Sequence, residues 1–199
     1  FLFKSVTKSK YSNLYNNSLN FLTLTTKNIE ELIELCKAKN QFAQLEIYNR
    51  YYKAMYNVAY RIVKDRFEAE DIMQDSFLTA FTKLHTLQDY HVFGAWLKRI
   101  VVNNSIGYYN KRSKQKEVPL DTVLYKVEDQ SGIEEDNHNN EKVRQIINVM
   151  KTLKPNYSLG LSLHLIEGYD YDEICEIMDI SYANCRTLIS RAKESLRKK

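Results

Sequence analysis

The feature that most narrows the fold is a shortage of chain breakers: five glycines and two prolines in 199 residues. Glycine and proline interrupt helices, and they also build the tight turns that a protein of many strands requires. With so few of either, long helices meet little obstruction, and an all-α chain is expected. Apolar residues make up 44% and charged residues 27%, ordinary for a folded globular protein and silent about function.

The apolar pattern agrees with a helical reading. From Asn28 onward Ile29, Leu32, Ile33 and Cys36 recur at steps of three and four, and Asn28 followed by Glu31 resembles a capping box. A second helix is expected over 42–64, with Leu45, Tyr48, Tyr52, Met55, Ala59 and Ile62 facing inward. A third covers 68–84, and a fourth starts near Val92 and fades beyond Tyr109. The composition then changes: residues 117–140 carry seven acids against one lysine, together with Pro119, Gly132 and an "NHNN" run, which reads as an extended tether. Periodicity returns near Glu141. The expected layout is an uncertain extension at 1–28, a helical domain at 29–113, a flexible acidic linker at 114–140 and a smaller helical domain at 141–199.

Charge and cysteine usage exclude several classes. The net charge of +4 invites a nucleic-acid reading, yet Lys4, Lys8, Lys10 and Lys27 supply all of it, so distribution must carry that argument. Cys36, Cys175 and Cys185 form no CxxC pair, and His85, His91, His138 and His164 are scattered, so neither a disulfide framework nor a metal site is expected. No stretch approaches the ~18 consecutive apolar residues of a membrane span. The first 28 residues lack the continuous apolar core of a secretory signal and are assigned no role. A reduced cytoplasmic setting and no cofactor are expected. There is no G-x-S-x-G, no phosphate-cradling glycine loop and no carboxylate pair with a plausible site, so the chain is not expected to be an enzyme.

The segment "YDYDEICEIMDISYANCRTLISRAKESLRKK" is the most informative. Gly168 is placed to end one helix in the left-handed conformation, and Asp170 with Glu173 caps the next. That helix is short, "DIS" follows as a turn, and Ser181 caps the last helix. Cys185, Ile189, Ala192 and Leu196 step by four, three and four as one buried stripe. Arg186, Thr187, Ser190, Arg191 and Arg197 are left on the opposite and flanking positions, a set of donors suited to phosphate oxygens and base edges. A solvated amphipathic helix has the same composition. The short helix, turn and capped basic helix together favour a helix-turn-helix whose last helix enters a major groove.

A different mixture occurs in "WLKRIVVNNSIGYYNKR" at 96–112: three aromatics, three asparagines, four bases and no acid. Single-stranded DNA offers phosphates and unstacked bases, which call for bases, aromatic platforms and amides. Trp96, Leu97 and Ile100 are expected in the core, and Lys98, Arg99, Lys111 and Arg112 toward phosphate. Asn103 is open between an internal bond and a base contact. On the preceding helix Ala69, Met73, Phe77, Ala80, Phe81 and Leu84 face a core, leaving Asp71, Gln74, Asp75 and Leu78 as an acidic outward stripe with an apolar edge.

These segments resemble a known family. "LKPNYSLGLSLHLIEGYDYDEICEIMDISYANCRTLISRAKESLRKK" is similar to the −35-binding domain of extracytoplasmic-function (ECF) sigma factors of the sigma-70 superfamily, most closely the bacteroidete type. "FEAEDIMQDSFLTAFTKL" resembles the polymerase-binding helix of the same family, and Trp96, Arg99, Ile100 and Asn103 match its promoter-melting helix. Three positions depart from the usual pattern: Asp179 replaces glycine in the turn, Asn184 replaces threonine, and Gly107 replaces aspartate.

The resemblance implies two helical domains, region 2-like and region 4-like, and an alternative sigma factor that directs core RNA polymerase to promoters. Asp71, Gln74, Asp75 and Leu78 would then meet the beta-prime clamp helices. Tyr90, His91, Lys98, Arg99, Asn103, Lys111 and Arg112 would meet single-stranded −10 DNA, with a flipped base taken at loop 88–93. Tyr182, Asn184, Arg186, Thr187, Ser190, Arg191 and Arg197 would meet the −35 duplex. The beta flap and an anti-sigma factor are further implied partners. The acidic linker reads equally as an electrostatic mimic of RNA and as a solubilising tether. Two other readings remain: a helix-turn-helix regulator acting without polymerase, and a protein that occupies polymerase without melting DNA.

Overall fold

The computed structural model describes residues 24–115 and 139–199, and among them there are helices and no strands. The acidic run at 117–138 and residues 1–23 lie outside the described residues. The chain divides into two compact units, 1–105 and 106–199.

The first unit is built from α1 (Ile29–Lys37), α2 (Gln41–Val63), α3 (Arg66–Lys83), two single 3-10 turns (Leu84–Thr86 and Tyr90–Val92) and the first part of α4 (Phe93–Gln115). Each of the first three helices begins where a short polar side chain replaces a missing intrahelical partner. Asn28 accepts from the Glu31 amide at 2.9 Å. Asn40 accepts from Phe42 and Ala43 at 3.0 and 3.1 Å, and Asp65 from Phe67 and Glu68 at 3.0 and 3.2 Å. Helix α2 ends at Lys64, whose φ of 58° is left-handed.

The core of this unit follows most of the expected stripes, although Phe81, expected inside, is half-buried. Ala69, Met73, Phe77, Ala80 and Leu84 are buried, as are Leu32, Ile33 and Cys36. Leu45 departs furthest: it is 47% exposed, while Ala43, Glu46 and Ile47 occupy the buried line of that turn. Tyr48 and Tyr52, expected inside, are half-buried and stack on one another at 5.7 Å.

Glu46 is buried in this apolar setting because Arg50 answers its charge at 2.7 Å. The same guanidinium donates to the carbonyls of Lys27, Leu24 and Thr25 at 2.9, 3.2 and 3.0 Å. Leu24 itself is buried, so the segment just before α1, part of the extension at 1–28, is packed onto α2.

The second unit holds the end of α4, then α5 (Asn139–Lys151), α6 (Pro155–Leu161) running into a π-helical turn (Ser162–Ile166), α7 (Tyr171–Met178) and α8 (Tyr182–Arg197). Met150, Leu153, Leu161 and Ala192 form its centre, with Tyr157 and Leu196 against them. Pro155 opens α6, a position where a missing amide costs nothing. Gly160 lets α6 approach α8 closely: a Cβ there would lie 2.4 Å from Cδ2 of Leu188.

Candidate functional site

The last two helices form the helix-turn-helix. Gly168 adopts φ 79°, and Asp170 and Glu173 make a reciprocal capping box at 2.8 and 3.0 Å. Asp179 carries the turn at φ 53°, the left-handed conformation that aspartate tolerates better than most residues. Ser181 then caps α8 by accepting from the Asn184 amide at 3.4 Å.

On α8, Cys185, Ile189 and Ala192 are fully buried, and Leu196 is half-buried. The opposite half carries Asn184, Arg186, Thr187, Ser190, Arg191 and Arg197, all exposed, whereas Tyr182, three residues before Cys185, is exposed at the start of the buried line. All of the sequence-derived set except Tyr182 is therefore brought onto the outer half of the helix. Thr187 spends its proton on the Ala183 carbonyl at 2.9 Å, leaving its oxygen as an acceptor. Glu194, the single acid of the helix, pairs with Lys198 at 2.6 Å, and this hydrogen bond holds its carboxyl below the usual range. The exposed face thus stays basic. Tyr182 packs edge-on against Tyr171 at 6.1 Å, which fixes the entry to the helix.

Helix α3 presents Asp71, Gln74, Asp75 and Leu78 outward, all exposed, with Leu78 at 66%. A residue not singled out in the sequence joins them: Phe67, 83% exposed, lies on the same helical line at steps of four, three and four through Asp71, Gln74 and Leu78. Its signal was available, since an aromatic in the first turn outside the core stripe has to face solvent.

Helix α4 divides its residues differently from expectation. Leu97 is fully buried, whereas Trp96 and Ile100 are half-buried. Trp96, Arg99 and Asn103 follow one another at steps of three and four, so an aromatic, a base and an amide share one side. Lys98 lies off that line, on the flank of the buried stripe, and is half-buried. Lys111 and Arg112 are exposed further along the same helix, and Gly107 has open space where a side chain would project. The internal bond considered for Asn103 belongs to its neighbour: Asn104 donates to Ser76 at 3.0 Å, while Asn103 is exposed.

The turn before α4 is tied to α1. Asp89 caps it by accepting from the His91 amide at 2.9 Å. The Tyr90 hydroxyl donates to Glu34 and accepts from Lys37, whose ammonium also lies 4.4 Å over the Tyr90 ring. The hydrogen bond from Tyr90 holds the Glu34 carboxyl below its ordinary range, and the bond to Tyr90 raises the Lys37 ammonium. His91 remains exposed and sets Nδ1 2.8 Å from Oε1 of Glu30.

Among the described residues, no group of His, Cys, Asp or Glu is arranged to hold a metal ion, and no helix is long and apolar enough to cross a membrane.

Residues 47–115 match the Sigma-70 region 2 family, and residues 143–196 match Sigma-70, region 4. The ECF RNA polymerase sigma factor SigM of Bacillus subtilis is 30% identical over 154 residues, covering 76% of this chain and 91% of that protein. The chain belongs to the ECF sigma factors. SigW of Bacillus subtilis is 28% identical over 180 residues, covering 85% of this chain and 95% of that protein. Among solved structures, the sigma factor RpoE from Bartonella quintana, crystallised with the anti-sigma factor NepR, shares the fold with a TM-score of 0.52 at 18% identity. It covers 77% of this chain and 93% of that one. This sigma factor accordingly is an alternative sigma factor that binds core RNA polymerase and directs transcription initiation at promoter DNA.

Proposed function

We propose that this sigma factor works through three separate surfaces and catalyses no bond chemistry of its own. The α3 line of Asp71, Gln74, Asp75 and Leu78, extended by Phe67, docks on the beta-prime clamp helices. Apolar ends flanking a carboxylate and amide centre suit a basic helical partner, because the exposed aromatic and leucine lose water while the charges set the register. The basic outer half of α8 reads the −35 duplex, with Arg186 placed for base edges and Arg197 for phosphate. Trp96, Arg99 and Asn103, with Lys98, Lys111 and Arg112, hold the unpaired −10 strand, and loop 88–93 takes a flipped base.

The single observation that carries this reading is the order of the two family matches, region 2 then region 4, with an exposed functional stripe in each. Domain limits of 29–113 and 141–199 joined by the acidic segment are part of the proposal, as is a cytoplasmic setting. The second unit also meets the beta flap, and an anti-sigma factor holds the protein inactive. The Bartonella RpoE complex with NepR supports that last assignment.

The test separates the docking surface from the DNA surfaces. Asp71→Ala with Gln74→Ala should weaken binding to purified core polymerase at least tenfold, while the isolated chain keeps its affinity for duplex DNA. Full retention of polymerase binding would assign the stripe to solvent and favour a regulator acting without polymerase.

A further inference from the structure

We propose that Glu34 and Lys37 of α1 are positioning residues for the base-capturing loop, and that the Tyr90 hydroxyl they share is a strut instead of a base contact. The inference rests on the assignment of loop 88–93 to the flipped −10 base.

A phenol has one proton to donate, and that of Tyr90 goes to Glu34, while its oxygen accepts from Lys37. The ammonium of Lys37 lies 4.4 Å from the ring centroid, at the hydroxyl end that it bonds. The neighbouring residue is held through one ring nitrogen only, with His91 Nδ1 2.8 Å from Glu30 and the ring otherwise exposed.

Glu30, Glu34 and Lys37 are spaced by four and three, so they form one line along α1. The other side of that helix is fixed in the core by Leu32, Ile33 and Cys36, and its start is capped by Asn28. The loop therefore takes its shape from an anchored helix more than fifty residues away in sequence. A base arriving at this loop meets a surface already ordered, which removes an ordering cost from the binding step. His91, with its ring exposed, is the residue of the pair left to face DNA.

Exposed pairs of this kind contribute little to stability, so their removal leaves a folded protein and isolates the positioning effect. The experiment assembles the full chain with core polymerase on promoter DNA carrying a fluorescent purine analogue at the base that leaves the stack. Each protein is read on the matched −10 sequence and on one with that base substituted. Tyr90→Phe, Glu34→Ala and Lys37→Met should each lower the ratio between the two templates by roughly three- to tenfold, with polymerase binding unchanged. Tyr90→Phe combined with Glu34→Ala should be no worse than either alone, since both break one unit.

A wild-type ratio for Tyr90→Phe overturns the proposal, as does loss of the ratio only when the whole ring is removed by Tyr90→Ala. A fall in signal on both templates with the ratio intact overturns it too, because a general loss of structure would act that way. If the wild-type protein itself gives no fluorescence rise, the −10 assignment fails and this inference fails with it. That outcome is distinct because it precedes any substitution.

Discussion

Asn104 on α4 donates its side-chain amide to the Ser76 hydroxyl on α3 at 3.0 Å, and Ser76 passes its own proton to the Ile72 carbonyl at 2.6 Å. Ser76 is fully buried, so this is a buried polar tie between α3 and α4, the helices proposed to dock on polymerase and to hold single-stranded DNA. Losing the bond leaves Ser76 its Ile72 partner and Asn104 partly open to water, so the cost is that of one hydrogen bond, ~1 kcal/mol. Ser76→Ala and Asn104→Ala should each destabilise the first unit in denaturant titration. The double variant should fall short of their sum by about 1 kcal/mol. Full additivity would mean that the bond carries no energy.

Arg50 offers a second test, because it serves one buried carboxylate and three backbone carbonyls at once. Breaking a fully buried ion pair costs ~3–5 kcal/mol, but this guanidinium is partly exposed, so Arg50→Ala should cost about 2 kcal/mol. Arg50→Ala combined with Glu46→Gln should recover part of that loss, since no charge is then left buried. Proteolysis near Leu24 should quicken in Arg50→Ala, as the carbonyls of that segment lose their donor.

The three cysteines should differ in reactivity. Burial pushes the Cys36 thiol up to about 12 and the Cys185 thiol up to about 11, with the neighbouring Cys175 adding to the latter. A raised thiol stays protonated at neutral pH, and the protonated form is a poor nucleophile. Native protein at pH 7 should therefore take up one equivalent of a thiol reagent promptly, at the half-buried Cys175, and the other two only on unfolding. Rapid labelling of Cys36 in the native state would contradict its place in the core.

Arg186 and Arg197 separate two kinds of DNA contact. Both are exposed on the outer half of α8, Arg186 in its second turn and Arg197 at its end. Arg186→Ala should weaken binding to the cognate −35 duplex by ~1–3 kcal/mol and blunt discrimination at one base pair. Arg197→Ala should lower affinity for all sequences alike and reduce the salt slope by about one.

The helices and caps were legible because they depend on local chemistry: Asn28, Asp170 and Ser181 cap where their neighbours require it, and Gly168 and Asp179 turn where expected. Side-chain direction was less legible wherever tertiary packing decides. Leu45 points out because the small Ala43 and the paired Glu46 fill the inner side of α2 near its start. Nothing in the spacing says that a glutamate will be inside when its arginine lies one turn on. The two adjacent asparagines of α4 differ only through a tertiary partner, Ser76 lying opposite Asn104. The ties from Tyr90 and His91 to α1 join residues more than fifty apart, beyond the reach of any local pattern.

Run-off transcription with purified core polymerase and a library of promoter fragments tests the central claim most directly. The account predicts discrete transcripts from a small subset of fragments only when this chain is added, each start lying downstream of shared −35 and −10 sequences. Polymerase that binds the chain yet yields no specific start on any fragment would contradict it.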